Sequence, residues 1–136
     1  MIALDTSALI KRYKREDHSV WVRETMSVDT DWCGSNLLAA ETAIAMSRVP
    51  QEPDQLSRSD SRIARDLEFF DMIPVDGECI VEAIRLARAF GLRTLDAIHL
   101  AAFWLLPPGC SCVTFDSRLA GAVNEMGLKL LVPPGL

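Results

Sequence analysis

Five short apolar runs alternate with helix-like stretches from one end of the chain to the other, and this alternation constrains the fold more than any other feature. The runs lie at 2–4, 32–33, 72–75, 112–115 and 128–132. Runs this short and this apolar read as strands covered on both faces. Between them, Ala8, Leu9, Ile10 and Tyr13 share one side of a helix that Thr6 or Ser7 can cap, and Val20, Trp21 and Met26 mark a short helix over 19–26. Ser35 or Asn36 caps a mostly buried helix over 37–47, closed before Pro50. Residues 51–54, beside Pro50 and Pro53, read as a connector, and 57–70 as a helix with Ile63, Leu67 and Phe70 on one face. Pro74 suits an edge strand better than the centre of a sheet. The helix at 78–90 stops at Gly91, the one at 94–106 stops at Pro107-Pro108-Gly109, and a last one spans 117–126. Strands and helices in this order imply parallel strands joined by right-handed crossovers. The expected fold is α/β, a three-layer α/β/α sandwich around a central, mainly parallel sheet, whose ligand crevice lies beyond the carboxyl ends of the strands.

A chain of 136 residues with 49% hydrophobic and 24% charged side chains suits one domain spanning 1–136. It shows no internal repeat or low-complexity tract. No apolar run approaches the roughly 20 residues of a membrane span, and the N-terminus lacks the pattern of a secretory signal. The expectation is a soluble, cytoplasmic protein with no membrane partner. Cys33, Cys79, Cys110 and Cys112 then read as reduced, small apolar fillers. Cys110-x-Cys112 is not a usual zinc spacing, and neither His18 nor His99 stands by a second cysteine pair.

Most of the 19 acidic residues lie in polar surroundings, but four do not. Asp5 ends the run Ile2-Ala3-Leu4, and Asp116 follows Val113-Thr114-Phe115. Glu41 interrupts an otherwise apolar helix, and Asp96 sits within Leu95-Asp96-Ala97-Ile98. A carboxylate in such a place is costly unless something pairs with it. Taken singly, Asp5 and Asp116 can simply cap the helices that follow them. Taken together, four carboxylates meeting in one crevice need protons or cations to relieve their repulsion. An all-oxygen set suits Mg²⁺ or Mn²⁺, and such ions activate water against a phosphate ester. No Ser-His-Asp arrangement stands out, and no Gly-rich phosphate loop is present, which argues against an NTPase. Asp96 and His99 share a helix face at i, i+3, yet His99 beside Leu100 and Ala101 reads as a buried, locally bonded histidine outside the site.

The segment from Asp5 to Tyr13 resembles the opening of a PIN-domain ribonuclease, in particular the toxin subunit of VapBC-type toxin–antitoxin pairs. The segment from Leu92 to Ala101 resembles that family's most recognisable stretch. Ser35 followed by Glu41 matches its middle motif, and the segment from Thr114 to Leu119 its last. The likeness covers essentially the whole chain. It implies a site of Asp5, Glu41, Asp96 and Asp116 that binds Mg²⁺ or Mn²⁺ and cleaves RNA phosphodiesters with metal-activated water. Ser7 and Thr114 are implied as polar neighbours that orient the carboxylates or the water. The likeness further implies a cognate antitoxin and a homodimer. Trp21, Met26, Trp104 and the helix around Leu37 are candidates for that contact area, with core burial the default for each.

The net charge of −5, from 14 basic and 19 acidic residues, at first argues against a nucleic-acid partner. Setting the four site acids aside leaves 15 acidic against 14 basic residues, a nearly neutral scaffold. Lys11, Arg12, Lys14 and Arg15 cluster near Asp5, and Arg93 precedes Asp96, so these cations can hold phosphates; each can equally be a solvated helix end. Two other readings compete: a PIN-type nuclease of RNA maturation or of DNA, and a catalytically silent module that keeps the fold to bind RNA or protein. Four intact acids count against the silent module.

Overall fold

The first apolar run becomes β1 (Ile2–Leu4), the middle strand of a five-stranded sheet in the computed structural model, which describes residues 1–136. It takes the centre because both of its faces are apolar and all three residues are buried. Ile2 and Leu4 join one core layer and Ala3 the other. β2 (Trp32–Ser35), β3 (Asp71–Ile73), β4 (Ser111–Val113) and β5 (Lys129–Leu130) complete the sheet in the order β3-β2-β1-β4-β5, with every pair parallel.

One layer is built on α1 (Thr6–Leu9), a 3-10 turn over Ile10–Arg12, α2 (Ser19–Val28), α3 (Leu37–Ser47) and α4 (Pro53–Leu67). Its core packs Leu9, Met26, Leu38 and Phe70 against Ile2 and Leu4. The other layer is α5 (Gly77–Phe90), α6 (Thr94–Leu105) and α7 (Ser117–Glu125), with Leu86, Leu100, Phe103 and Leu119 packed against Ala3, Cys33 and Cys112. The three-layer α/β/α expectation therefore holds. The chain works outward from β1 to β3, then returns past the centre to β4 and β5. The reversal falls between β1 and β4, and in open parallel sheets that is where a crevice opens at the strand ends.

Several local expectations are corrected. The connector around Pro53 is the first turn of α4: Pro53 needs no hydrogen-bond partner there, and Glu52 and Gln55 close a capping box around it. α3 is only half buried. Leu38, Thr42 and Met46 face the core, while Ile44 on the other side is exposed. β3 begins at Asp71 and stops before Pro74, at the sheet edge as proline requires. β4 ends at Val113, because the next residues turn away to bond with α1.

Gly34 in β2 has a packing reason to be glycine. A Cβ there would lie 2.6 Å from Leu38 Cδ1 and 2.8 Å from the Leu4 carbonyl oxygen. The backbone contact cannot give way without moving β1, so Gly34 holds β2 and the start of α3 close to the strand that ends at Asp5.

All four cysteines are free thiols, and burial pushes Cys112 up to about 12. The thiols of Cys33 and Cys110 approach to 3.6 Å, but β1 lies between β2 and the start of β4.

Candidate active site

Asp5 is the residue at which β1 hands over to α1. Its carboxylate accepts a hydrogen bond from the Ala8 amide at 3.0 Å, so it caps the helix. The cap reading of this residue holds. The Ser7 hydroxyl donates to Asp5 at 2.7 Å, and so does the Thr114 hydroxyl, from the end of β4. Each hydroxyl oxygen then accepts a backbone amide: Ser7 from Phe115 in the neighbouring segment at 2.8 Å, Thr114 from Asp116 two residues on at 3.1 Å. Both hydroxyl protons are spent on Asp5, so these side chains tie two strand ends together and aim one carboxylate. Asp5 is only 3% exposed, and burial pushes its carboxyl above the usual range despite these donors.

Asp116 repeats the arrangement on β4. It caps α7 by accepting from the Leu119 amide at 2.9 Å, with its other oxygen facing Arg93. Arg93, just before α6, reaches Asp96 through Nε at 3.1 Å and Asp116 through Nη2 at 3.6 Å. Glu41, halfway along α3, lines a crevice of ≈ 290 Å³ together with Arg93, Thr94, Leu95 and Asp96. Of the four acids expected from the sequence, Glu41 and Asp96 line this crevice, Asp116 is joined to it through Arg93, and Asp5 lies buried beneath Ser7 and Thr114, outside its lining.

The assignment of His99 outside the site is corrected by the geometry. His99 Nε2 donates to Glu41 Oε1 at 2.6 Å and stands 3.4 Å from the Thr6 hydroxyl. Its Nδ1 is buried without a partner. Burial pushes the Glu41 carboxyl up, but the His99 imidazole and the Thr6 hydroxyl outweigh it and hold Glu41 below the ordinary glutamate range. His99 is buried and locally bonded, as expected, and its partner is a site acid. The i, i+3 spacing from Asp96 was the available signal, since it places both residues on the face of α6 that meets the crevice. Thr6 had no signal beyond its place next to Asp5.

The other expected cations fall elsewhere. Lys11 pairs with Glu16 at 3.1 Å and lies over the Phe115 ring at 4.6 Å, one residue from Asp116. Arg12 pairs with Asp66 on α4 at 2.9 Å and faces Trp32. Arg93 alone of the three touches the carboxylates.

The donor set suits a hard divalent cation in kind: four carboxylates and neighbouring hydroxyls, with no thiol. In spacing it is open, for no three His, Cys, Asp or Glu side chains are gathered closely enough to hold an ion. Protein groups already occupy the carboxylates, Arg93 between Asp96 and Asp116, and the His99 ring against Glu41. Arg93 is 72% exposed, so its guanidinium can leave at little cost. In donor chemistry the residues fit a dication; in spacing the carboxylates would have to close around it, with Arg93 giving way.

A sequence profile described as the PIN domain matches residues 2–123. The chain is 33% identical over 134 residues to Ribonuclease VapC46 of Mycobacterium tuberculosis (strain ATCC 25618 / H37Rv), covering 97% of both chains. Its fold is similar to that of FitAcB from Neisseria gonorrhoeae, with a TM-score of 0.74, 16% identity and full coverage of both chains. It is also similar to a chain of a toxin–antitoxin complex from Klebsiella pneumoniae, with a TM-score of 0.70, 14% identity and full coverage of both chains.

Proposed function

The chain belongs to the PIN-domain family, and from that premise we propose that it is a divalent-cation-dependent endoribonuclease acting as the toxin of a type II toxin–antitoxin pair. The observation that supports this reading is a chain of contacts at the switch point of a parallel sheet: Thr114 bonds both the Asp5 carboxylate and the Asp116 amide, Arg93 pairs with Asp116 and Asp96, and Asp96 lines a crevice with Glu41. Asp5, Glu41, Asp96 and Asp116 would hold Mg²⁺ or Mn²⁺. Bound there, the cation makes a water more acidic and offsets the charge that gathers on a phosphodiester under attack.

The chain's own residues prepare that site. Ser7 and Thr114 fix the Asp5 carboxylate, and His99 with Thr6 fixes Glu41. Arg93, released from Asp96 and Asp116, is placed to take a substrate phosphate. Lys11 and Arg12, held by Glu16 and Asp66, contribute to the local field more than to contact.

The proposed partners are an RNA substrate, a cognate antitoxin protein that covers the crevice, and a second copy of the chain. The likeness to a relative named as a ribonuclease and to a toxin–antitoxin complex supports the first two. Exposed Ile80, Ile84 and Leu95, around a shallow apolar groove between α5 and α6, support a homodimer. No helix is long and apolar enough to cross a membrane. Four free thiols suit a reducing compartment, and the cytoplasm is the proposed place of action.

The test is cleavage of mixed-sequence RNA by the purified protein with Mn²⁺, with Mg²⁺ and with EDTA. Cleavage is expected with either cation, absent in EDTA, and lost in Asp96→Asn. Because the Arg93–Asp96 pair is half exposed to solvent, that variant should keep its metal-free stability within about 1 kcal/mol. Cleavage that persists in EDTA or in Asp96→Asn would overturn the assignment.

A further inference from the structure

A second groove, of ≈ 550 Å³, lies between the end of the 3-10 turn, the end of α3 and the exposed face of α4. Its lining contains Lys14, Arg15, Arg58 and Arg62 and no acidic residue, in a chain with a net charge of −5. The cations come from two separate segments, so the charge is gathered by the fold and not by one basic run. Arg15 and Arg62 have no carboxylate within 4 Å; Lys14 and Arg58 pair with Glu16 and Asp54, which lie outside the lining. Arg62 packs over the Tyr13 ring at 5.4 Å, which sets its position without using its charge. Pairs as exposed as these are worth at most about 1 kcal/mol and yield to a better anion.

The groove has a fixed relation to the crevice. One of its walls, at Tyr13, ends the helical segment that starts at Asp5. The other, at Met46 and Val49, ends the helix that carries Glu41. Either route spans about 12 Å, from seven or eight residues at 1.5–2 Å each. A polyanion reaching from the carboxylates along these two elements meets four cations at the far end. A protein segment is the weaker fit, because interface cores want exposed apolar anchors and none of the large exposed hydrophobic side chains lies in this groove.

We propose that this groove is a second, non-catalytic subsite that binds the phosphate backbone of an RNA strand whose scissile bond lies at the carboxylates. The proposal rests on the nuclease reading for the identity of the polyanion. At about 3.4 Å per stacked nucleotide, the 12 Å gap corresponds to three or four nucleotides. A strand must exceed that length to reach both places.

The test measures anisotropy of fluorescein-labelled, unstructured RNAs of 4 and 12 nucleotides in EDTA, with the full chain and with Arg58→Ala/Arg62→Ala. Wild type should bind the 12-mer more tightly than the 4-mer, and the double variant should lose that gain. Two lost phosphate contacts, at about 0.7 each in salt slope, lower 12-mer affinity by about 25-fold at 0.1 M salt. Arg58→Lys/Arg62→Lys should restore the slope, which a merely structural role would not predict. If the double variant fails to fold, Arg15→Ala, outside any helix or strand and free of ion pairs, should lower the slope by about 0.7. An unchanged slope in the folded variants overturns the groove. So does polyglutamate competing with the 12-mer as well as unlabelled RNA does, which would assign the groove to an acidic protein segment. Failure of the nuclease reading shows separately, as wild type that binds RNA in this length-dependent way and never cleaves it with Mn²⁺.

Discussion

Asp5 and Asp116 occupy equivalent places on neighbouring strands. Each follows a buried parallel strand, Asp5 directly and Asp116 after two further residues, opens a helix and accepts the amide of the residue three positions on, from Ala8 at 3.0 Å and from Leu119 at 2.9 Å. Their surroundings differ. Asp5 is sealed beneath two hydroxyl donors, whereas the Asp116 side chain is 25% exposed and faces a mobile-length arginine. One local motif thus gives two carboxylates with different burdens. The inner one is an architectural joint as well as a candidate ligand, and the outer one is free to trade Arg93 for another cation.

Substitutions at these positions break the equivalence in a graded way. The largest effect is expected from Asp5→Ala. It strands the Ser7 and Thr114 hydroxyls and the Ala8 amide, so thermal denaturation should show a loss of about 2–3 kcal/mol, together with at least a thousandfold loss of RNA cleavage. Asp116→Ala should cut cleavage comparably but cost only about 1 kcal/mol, the worth of one helix cap. Equal stability losses in the two variants would erase the distinction. Thr114→Val keeps both acids and removes the bridge between them. With the Asp116 amide unpaired and Asp5 Oδ2 left only the longer contact from Ser7 at 3.0 Å, it should cost about 1–2 kcal/mol and weaken the Mn²⁺ response of cleavage by about 10–100-fold.

Asp5→Asn sharpens the inner half by pH. Burial raises the Asp5 carboxyl in the folded protein, so the metal-free wild type loses stability as pH climbs from the unfolded aspartate value, about 3.9, through the higher folded value. The asparagine variant lacks that loss. It should equal or exceed wild type in melting temperature at pH 7, and the advantage should shrink towards pH 4. An advantage that grows on acidification would refute the burial argument. The smallest effect belongs to Arg93→Ala, whose exposed pairs are worth under about 1 kcal/mol. Its stabilisation by Mn²⁺ in a melting titration should set in at severalfold lower concentration than in wild type, since no side chain competes for Asp96 and Asp116.

The order of strands and helices was readable because each buried strand is a short apolar run and each helix carries its own period. The strand order was not, since nothing local tells β4 to pair with β1 on the side away from β2. The α4 start was misjudged because proline marks both connectors and first helical turns, and Glu52 with Gln55 decides between them. Asp5, Glu41, Asp96 and Asp116 stood out as charges in apolar company, a signal of cost. His99 was passed over because a histidine among Leu100 and Ala101 carries no such cost until its partner is known. The basic groove was half visible: Lys14 and Arg15 were noticed, but Arg58 and Arg62 lie more than 40 residues away and meet them only through the packing of α3 on both segments.

The pairing of residues 2–4 with 111–113 has a consequence for the cell that makes this protein. During synthesis at about 5–20 residues per second, Asp5 leaves the ribosome roughly 5–20 s before Thr114 and Asp116 follow. Through that interval the inner carboxylate has the Ser7 hydroxyl but not that of Thr114, and its outer counterpart does not exist. On the proposed activity, an unfinished chain is harmless to the message that encodes it. The danger begins only when the last quarter of the polypeptide threads back beside the first strand.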